Sequence, residues 1–193
     1  LVVVTGDVTD RGPGSRQDID IRPVFEALSP PELGCFAILG NHDYGTGWSD
    51  MGMGTAVAAQ LADAGVRVLR NESAVVEGLR LAGVDDLWSP NFKPQKVLPL
   101  LTADEPAVVL CHNPDAADCD IWGAFRGWML SGHTHGGQCK PPFLPPPMLP
   151  VRNRRYTAGA FDLGDGRSLY INRGLGHTMR VRFNARPEIT LHR

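Results

Sequence analysis

Short apolar runs that end in glycine or polar residues recur along this chain. The clearest are "LVVV" at 1–4, "CFAIL" at 35–39, "AVVLC" at 107–111 and "WMLS" at 128–131. Continuous short runs of this kind are typical of strands that are buried on both faces of a sheet. The pattern therefore predicts a set of buried strands whose ends carry the polar residues.

Helix-like stretches lie between these runs, at about 18–28, 54–64 and 93–101. Alternation of strands and helices indicates an α/β layered domain. A β-rich segment at 75–84 and a C-terminal part with a tight turn at 164–166 add short hairpin strands, so we expect mixed sheets rather than purely parallel ones. The proline-rich stretch "KPPFLPPPMLPVRNRR" at 140–155 predicts an extended surface loop.

Composition limits the classes of protein that fit. The chain has 193 residues, 42% of them apolar and 21% charged, which suits one soluble globular domain. Its net charge of -2 provides no basic field, so no nucleic-acid partner is expected and a nuclease is disfavoured. Four scattered cysteines indicate free thiols rather than a zinc knuckle or a disulfide framework.

Polar residues at the ends of the predicted strands are of the types that bind divalent metals. In layered α/β folds, sites form where the carboxyl ends of strands converge. Carboxylate, amide and imidazole groups suit Mn, Fe, Zn or Mg rather than a thiolate zinc site. "GHTHGGQ" at 132–138 holds two histidines between glycines that let the backbone turn both side chains inward. The candidate metal ligands are Asp7, Asn41, His112, His133 and His135.

Four motifs in order resemble those of the calcineurin-like metallophosphoesterases. They are "GDVTD" (6–10), "GNHD" (40–43), a lone histidine after an apolar strand ("VVLCHNPD", 108–115) and "GHTH" (132–135). The longer "GHTHGGQ" resembles a bacterial branch of membrane- or envelope-associated phosphodiesterases, some of which act on lipid-linked pyrophosphates. The resemblance covers essentially the whole chain and implies a layered α/β/β/α sandwich in which helices flank two mixed β-sheets.

The resemblance also implies a role for each motif residue. Asp7 would bridge two divalent metal ions. Asn41, His112 and His133 would complete one site, and His135 would belong to the other. The family's nucleophile is a hydroxide activated by the metals.

The "GNHD" histidine, His42, would be the general acid that protonates the leaving group, with Asp43 orienting it. Arg11 and Arg173 are weaker candidates for binding a substrate phosphate. A capping role for Asp10 in the turn after Asp7 is favoured.

One motif of the family, Asp-x-His on a strand before "GDxxD", is absent from this sequence. We expect it upstream of Leu1, so that residues 1–193 would be one metallophosphoesterase domain without its first strand. Within the 193 residues, the second metal would have only Asp7 and His135 as protein ligands.

The expected activity is therefore metal-dependent hydrolysis of a phosphodiester or pyrophosphate bond, with a lipid-linked or nucleotide molecule as the expected substrate. Two alternatives stay open. The first is a degenerate, non-catalytic metal-binding module, which the missing Asp-x-His favours and the intact "GNHD" disfavours. The second is a phosphomonoesterase like the protein serine/threonine phosphatases. Peripheral membrane contact through 141–155 is a further expectation, because apolar tips there precede arginines. A membrane-associated or cytoplasmic location and the oligomeric state stay undecided.

Overall fold

Two β-sheets form the centre of the protein in the computed structural model, which describes residues 1–10, 19–178 and 180–193. The smaller sheet has three strands in the order β1-β2-β3, and all of its strand pairs are parallel. Its strands are β1 (Val2–Val4), β2 (Cys35–Ala37) and β3 (Val66–Val68).

The larger sheet has six strands in the order β4-β5-β6-β7-β9-β8. Its central pairs are parallel, whereas the pairs at both edges, β4 with β5 and β8 with β9, are antiparallel. The strands are β4 (Glu72–Val76), β5 (Leu79–Val84), β6 (Ala107–Cys111), β7 (Gly127–Ser131), β8 (Gly159–Asp162) and β9 (Arg167–Ile171).

Two α-helices lie within the described residues, α1 (Arg22–Glu26) and α2 (Met51–Asp63). The side chain of Asp50 caps α2 by accepting a hydrogen bond from the Met53 amide at 3.0 Å. The predicted helix at 54–64 is confirmed, whereas the one at 93–101 is wrong. That segment forms two short 3-10 turns, because Pro94 and Pro99 supply no amide hydrogen and their rings oppose a continuous helix.

Three apolar layers separate these elements. Val57 and Leu61 of α2 pack against Cys35 and Ala37, which lie on one face of the small sheet. A middle layer, which includes Phe36, Ile38, Leu81 and Leu110, joins the two sheets. A third layer covers the outer face of the large sheet with side chains from the 3-10 turns and loops, among them Val97, Ala116, Trp122 and Phe125.

The expected two-sheet α/β architecture is therefore confirmed, with two differences in detail. The small sheet, as far as the structure describes it, is parallel rather than mixed. The outer layer of the large sheet consists of 3-10 turns and loops. No helix among the described residues is both long and apolar enough to cross a membrane.

The topology brings the carboxyl ends of strands from both sheets to one edge. Strands β1 and β2 of the small sheet end there, as do β5, β6 and β7 of the large sheet. The "GDVTD" and "GNHD" loops follow the first two strands, and His112 and "GHTH" follow β6 and β7. This edge is where a shared site can form.

Gly54 in α2 provides a test of how tightly the helix packs. A Cβ atom at Gly54 would lie 2.5 Å from Cε1 of the fully buried Tyr44 ring, so we expect Gly54→Ala to destabilise the protein by about 1–3 kcal/mol. Gly52 is the matched control, since it is exposed in the same helix and a Cβ there meets only the side chain of Asp50. Gly52→Ala should be neutral or stabilising by up to ~1 kcal/mol. Urea denaturation measures both, and an equal effect of the two substitutions would contradict this packing.

Candidate metal centre

Three side chains converge where the two sheets meet. His112 Nε2 lies 3.0 Å from Asp7 Oδ2 and 3.2 Å from His133 Nδ1. One ligand atom of each residue lies within 4.8 Å of those of the other two. An oxygen and two imidazole nitrogens directed at one point are a suitable donor set for a divalent transition metal.

Both imidazoles are fixed through their second nitrogen by a backbone carbonyl. His112 Nδ1 lies 2.6 Å from the carbonyl oxygen of Thr5, and His133 Nε2 lies 2.7 Å from that of Pro150. A carbonyl accepts only from a protonated nitrogen, so each contact leaves the other nitrogen, at the meeting point, free to act as a ligand. Such outer contacts set the tautomer and the orientation of metal-binding histidines.

The two glycines before Asp7 and Asn41 allow the first two loops to touch. A Cβ at Gly6 would lie 2.6 Å from the Gly40 nitrogen, and one at Gly40 would lie 2.2 Å from Asp7 Oδ1. Both hypothetical atoms would also press on the His112 ring, at 2.8 and 2.7 Å. Asp7 itself has φ of 53°, in the left-handed region that non-glycine residues seldom adopt and that is concentrated at functional sites.

Asn41 provides an independent indication of a missing partner. Its side-chain oxygen Oδ1 is fully buried and accepts no hydrogen bond among the described residues. A buried polar atom without a partner costs about 1–3 kcal/mol. Asn41 directly follows Gly40, whose backbone lies beside Asp7 and the His112 ring, so Asn41 is on the loop that borders the cluster. The residues present therefore fit a divalent metal ion.

Electrostatics support the same conclusion. Burial alone would lower the pKa of His112, but the adjacent Asp7 carboxylate raises it to about 9. Burial and the neighbouring His112 lower the pKa of His133 to about 3. A proton on His112 therefore pairs with Asp7 while His133 stays neutral, and a divalent cation would take the place of that proton.

His42 has a different carboxylate partner from the one expected. His42 Nδ1 lies 3.1 Å from Asp10 Oδ1, whereas Asp43 accepts hydrogen bonds from the amides of Gly40 and Thr9, both at 2.9 Å. Within the described residues, the carboxylate that contacts the His42 side chain is therefore that of Asp10, and not that of Asp43 as expected. Asp43 instead ties the "GNHD" loop to the loop after β1. The turn-capping role favoured for Asp10 overlooked this contact, although its place in "GDVTD" could have suggested it.

His135 and Arg173 contact other groups than the three clustered residues. His135 lies outside the Asp7, His112 and His133 group, and its Nδ1 lies 3.4 Å from Arg182 Nη2. Arg173 forms a salt bridge with Glu188. Its predicted contact with a substrate phosphate would have to compete with this carboxylate. Arg11 lies outside the described residues.

An aromatic pair next to the cluster was not predicted from the sequence. The Trp88 ring contacts His133 edge to face at a centroid distance of 4.6 Å, and Trp48 stacks on Trp88 at 4.6 Å. Trp48 lies a few residues after the predicted "GNHD" motif, and Trp88 lies in the turn after β5, where no motif was predicted. Sequence spacing alone offers no signal that the two rings meet.

The chain belongs to the calcineurin-like phosphoesterase family, whose profile matches residues 1–137. Phosphodiesterase YaeI of Escherichia coli is 37% identical over 178 residues, which is 86% of this chain and 61% of that protein. The uncharacterized metallophosphoesterase YkuE of Bacillus subtilis is 36% identical, over 99% of this chain and 66% of YkuE.

A third relative is the UDP-2,3-diacylglucosamine pyrophosphatase LpxG of Chlamydia trachomatis, 27% identical over 100% of this chain and 73% of LpxG. No solved structure was found to match. The chain thus spans somewhat less than two thirds of YaeI and about two thirds of YkuE.

The cluster predicts a measurable stabilisation by metal. Mn²⁺ at 100 times its dissociation constant should stabilise the folded protein by about 2.7 kcal/mol and raise its melting temperature. His133→Ala should lose most of this increase because it removes a ligand. His192→Ala is the control, since His192 contacts the Tyr170 ring instead, at 4.9 Å. Differential scanning fluorimetry with and without Mn²⁺ measures the shift, and an unchanged shift in His133→Ala would argue against this ligand set.

Proposed function

We propose that residues 1–193 fold as one metallophosphoesterase domain that hydrolyses a phosphodiester or pyrophosphate bond. The observation that carries this proposal is the convergence of Asp7, His112 and His133 on one point, and the buried, unpaired oxygen of Asn41 on the neighbouring loop supports it. Family membership supports a phosphoesterase, and the name of the relative YaeI supports a phosphodiesterase.

Asp7, Asn41, His112 and His133 would hold the metal. The family resemblance also implies a second ion, with Asp7 shared and His135 as a ligand, and Mn, Fe, Zn or Mg all suit these donors. When bound, such ions polarise the phosphoryl oxygens and lower the pKa of water. The chain's own contribution is to hold the ligands in place through Thr5, Pro150 and the two glycines.

We expect His42 to protonate the leaving group. Its backbone amide donates to Asp7 Oδ1 at 2.9 Å, which fixes the residue next to the cluster. The Asp10 carboxylate lies 3.1 Å from His42 Nδ1, and this contact orients the imidazole ring. Nε2 is then the atom that delivers a proton to the departing oxygen.

A lipid-linked or nucleotide substrate fits the names of the relatives. The name of LpxG gives UDP-2,3-diacylglucosamine as its substrate, and this compound combines a nucleotide, a pyrophosphate and acyl chains. For the present chain we propose a substrate that contains a phosphoric diester or anhydride bond within a larger organic molecule.

The proline-rich loop at 141–155 would contribute a peripheral membrane contact. Phe143, Leu144 and Met148 are exposed by 106%, 62% and 66%, whereas Leu149 is buried at 9% and belongs to the protein's own packing. The loop reaches the metal centre through the Pro150 carbonyl that His133 contacts. Binding of its apolar tips to an anionic bilayer would bring the site close to a lipid substrate.

Leaving-group dependence tests the catalytic proposal. With Mn²⁺, we expect the protein to hydrolyse both ethyl p-nitrophenyl phosphate and ethyl phenyl phosphate. Asp7→Ala should lower both rates by at least ~100-fold, because it removes a metal ligand. His42→Ala should lower hydrolysis of the phenyl ester by about 100-fold or more and that of the nitrophenyl ester by much less, because nitrophenolate leaves without a proton.

Asp10→Asn provides the matched comparison. It should show the same leaving-group dependence as His42→Ala in weaker form, with its metal content unchanged. Equal losses on both esters, or loss of metal from His42→Ala, would mean that His42 is structural. Near-normal rates for Asp7→Ala at saturating Mn²⁺ would overturn the proposed site.

Liposome flotation tests the membrane contact. The parent protein should float with phosphatidylglycerol vesicles, and Phe143→Ser with Leu144→Ser should abolish this binding because it removes the exposed apolar tips. The control is Val24→Ser with Leu28→Ser, a pair of exposed apolar residues at α1, on the helical side of the small sheet. Undiminished binding by the loop variant would refute the contact.

A further inference from the structure

The tryptophan pair beside the metal centre, the exposed Trp48 and the half-buried Trp88, has no role in the chemistry described so far. Trp48 is 39% exposed, although indole is among the largest apolar side chains. Its ring stacks on Trp88 with an interplanar angle of 26°. Such stacking brings two indole rings together next to the site.

The backbone around Trp48 is held in an unusual conformation. Trp48 has φ of 56°, and the nearby Gly45 and Gly47 have φ of 70° and 77°. Positive φ at a bulky residue costs on the order of 1–3 kcal/mol and persists only where the surrounding structure enforces it. The loop is closed by two hydrogen bonds, from the Trp48 amide to Gly45 O and from the Asp50 amide to Tyr44 O, both at 3.0 Å. The chain therefore holds this indole in a fixed, exposed position.

Trp88 links the exposed ring to the metal cluster. Its edge-to-face contact with His133 has an interplanar angle of 82°. The side chain of the buried Asp86 accepts a hydrogen bond from the Trp88 amide at 2.9 Å, which fixes the turn after β5. Two successive ring-to-ring steps of 4.6 Å thus connect Trp48 to a metal ligand.

We propose that Trp48 and Trp88 form a stacking platform for a heteroaromatic ring of the substrate, such as a nucleobase. The platform rests on the proposed function, since it binds the part of the molecule that is attached to the reacting phosphate. A flat indole surface favours a planar ring over a flexible chain, because stacking adds to the energy of apolar burial without ordering a chain. In a nucleotide the sugar joins the phosphate, which would bind at the metal centre, to the base, which would stack on the platform.

Two p-nitrophenyl diesters separate the platform from the chemistry. Thymidine 5′-(p-nitrophenyl phosphate) and ethyl p-nitrophenyl phosphate share their leaving group and differ in the presence of a nucleoside. We expect the parent protein to prefer the thymidine ester in kcat/KM. Trp48→Ala should lower this preference about tenfold, mainly through KM, since base stacking on an aromatic residue contributes about 1–3 kcal/mol. Trp48→Phe should retain part of the preference.

Trp128→Ala is the matched control. Trp128 is similarly exposed, at 43%, but lies near the start of β7, at the opposite end of that strand from His133. It should keep the full preference for the thymidine ester. An undiminished preference in Trp48→Ala, or an equal loss in Trp128→Ala, would overturn the platform.

Decyl p-nitrophenyl phosphate tests the choice of ring over chain. If Trp48→Ala lowers kcat/KM for the decyl ester as much as for the thymidine ester, the surface binds apolar groups in general and the aromatic assignment is wrong. Calorimetric binding of thymidine 5′-phosphate in the presence of Mn²⁺ does not depend on turnover. If Trp48→Ala weakens the binding of thymidine 5′-phosphate, the platform is supported even if neither diester is hydrolysed. If the protein hydrolyses the diesters but Trp48→Ala binds thymidine 5′-phosphate as tightly as the parent, the platform is refuted and the proposed function stands.

Discussion

The metal centre depends on the close approach of two backbone segments at Gly6 and Gly40. These glycines let the first two loops of the small sheet touch beside the His112 ring, with no space for a side chain at either position. Asp7 comes directly after Gly6 in the sequence, and Asn41 and His42 come directly after Gly40, so the contact determines where all three lie. A methyl group at either glycine would push the loops apart and separate Asp7 from the imidazole of the large sheet. The geometry of the site is therefore set by backbone packing before any ligand is bound.

Asp43 holds this approach from the other side. Its buried carboxylate accepts hydrogen bonds from the Thr9 amide, the Thr9 hydroxyl and the Gly40 amide, so that one side chain connects the two loops. Burial, and then the nearby Asp7 charge, raise the pKa of Asp43 to about 6. Asp43 and Asp10 make different contacts because of where they lie. Asp43 is enclosed by amides, whereas Asp10 is more exposed and contacts His42.

The features that could be predicted from the sequence are those that depend on a residue and its neighbours along the chain. The buried strands and their polar ends could be predicted because glycine and polar residues interrupt short apolar runs, and three of the five predicted ligands, Asp7, His112 and His133, lie together. Contacts between distant segments were not visible. The pairing of His42 with Asp10 instead of Asp43, and the stacking of Trp48 on Trp88, depend on how loops from different strands meet. The helix expected at 93–101 failed for a local reason, since two prolines outweighed its apolar pattern.

The location of the cluster between the two sheets also affects how the protein folds. Asp7 follows a strand of the small sheet, whereas His112 and His133 follow strands of the large one, and most of the chain lies between the first and last of these residues. Neither sheet alone contains the cluster, and contacts between segments so far apart form late and slowly. An ion would therefore find its full set of ligands only after both sheets have come together. An ion held by both sheets would slow their separation, so that loading with metal gives the finished molecule kinetic resistance to unfolding.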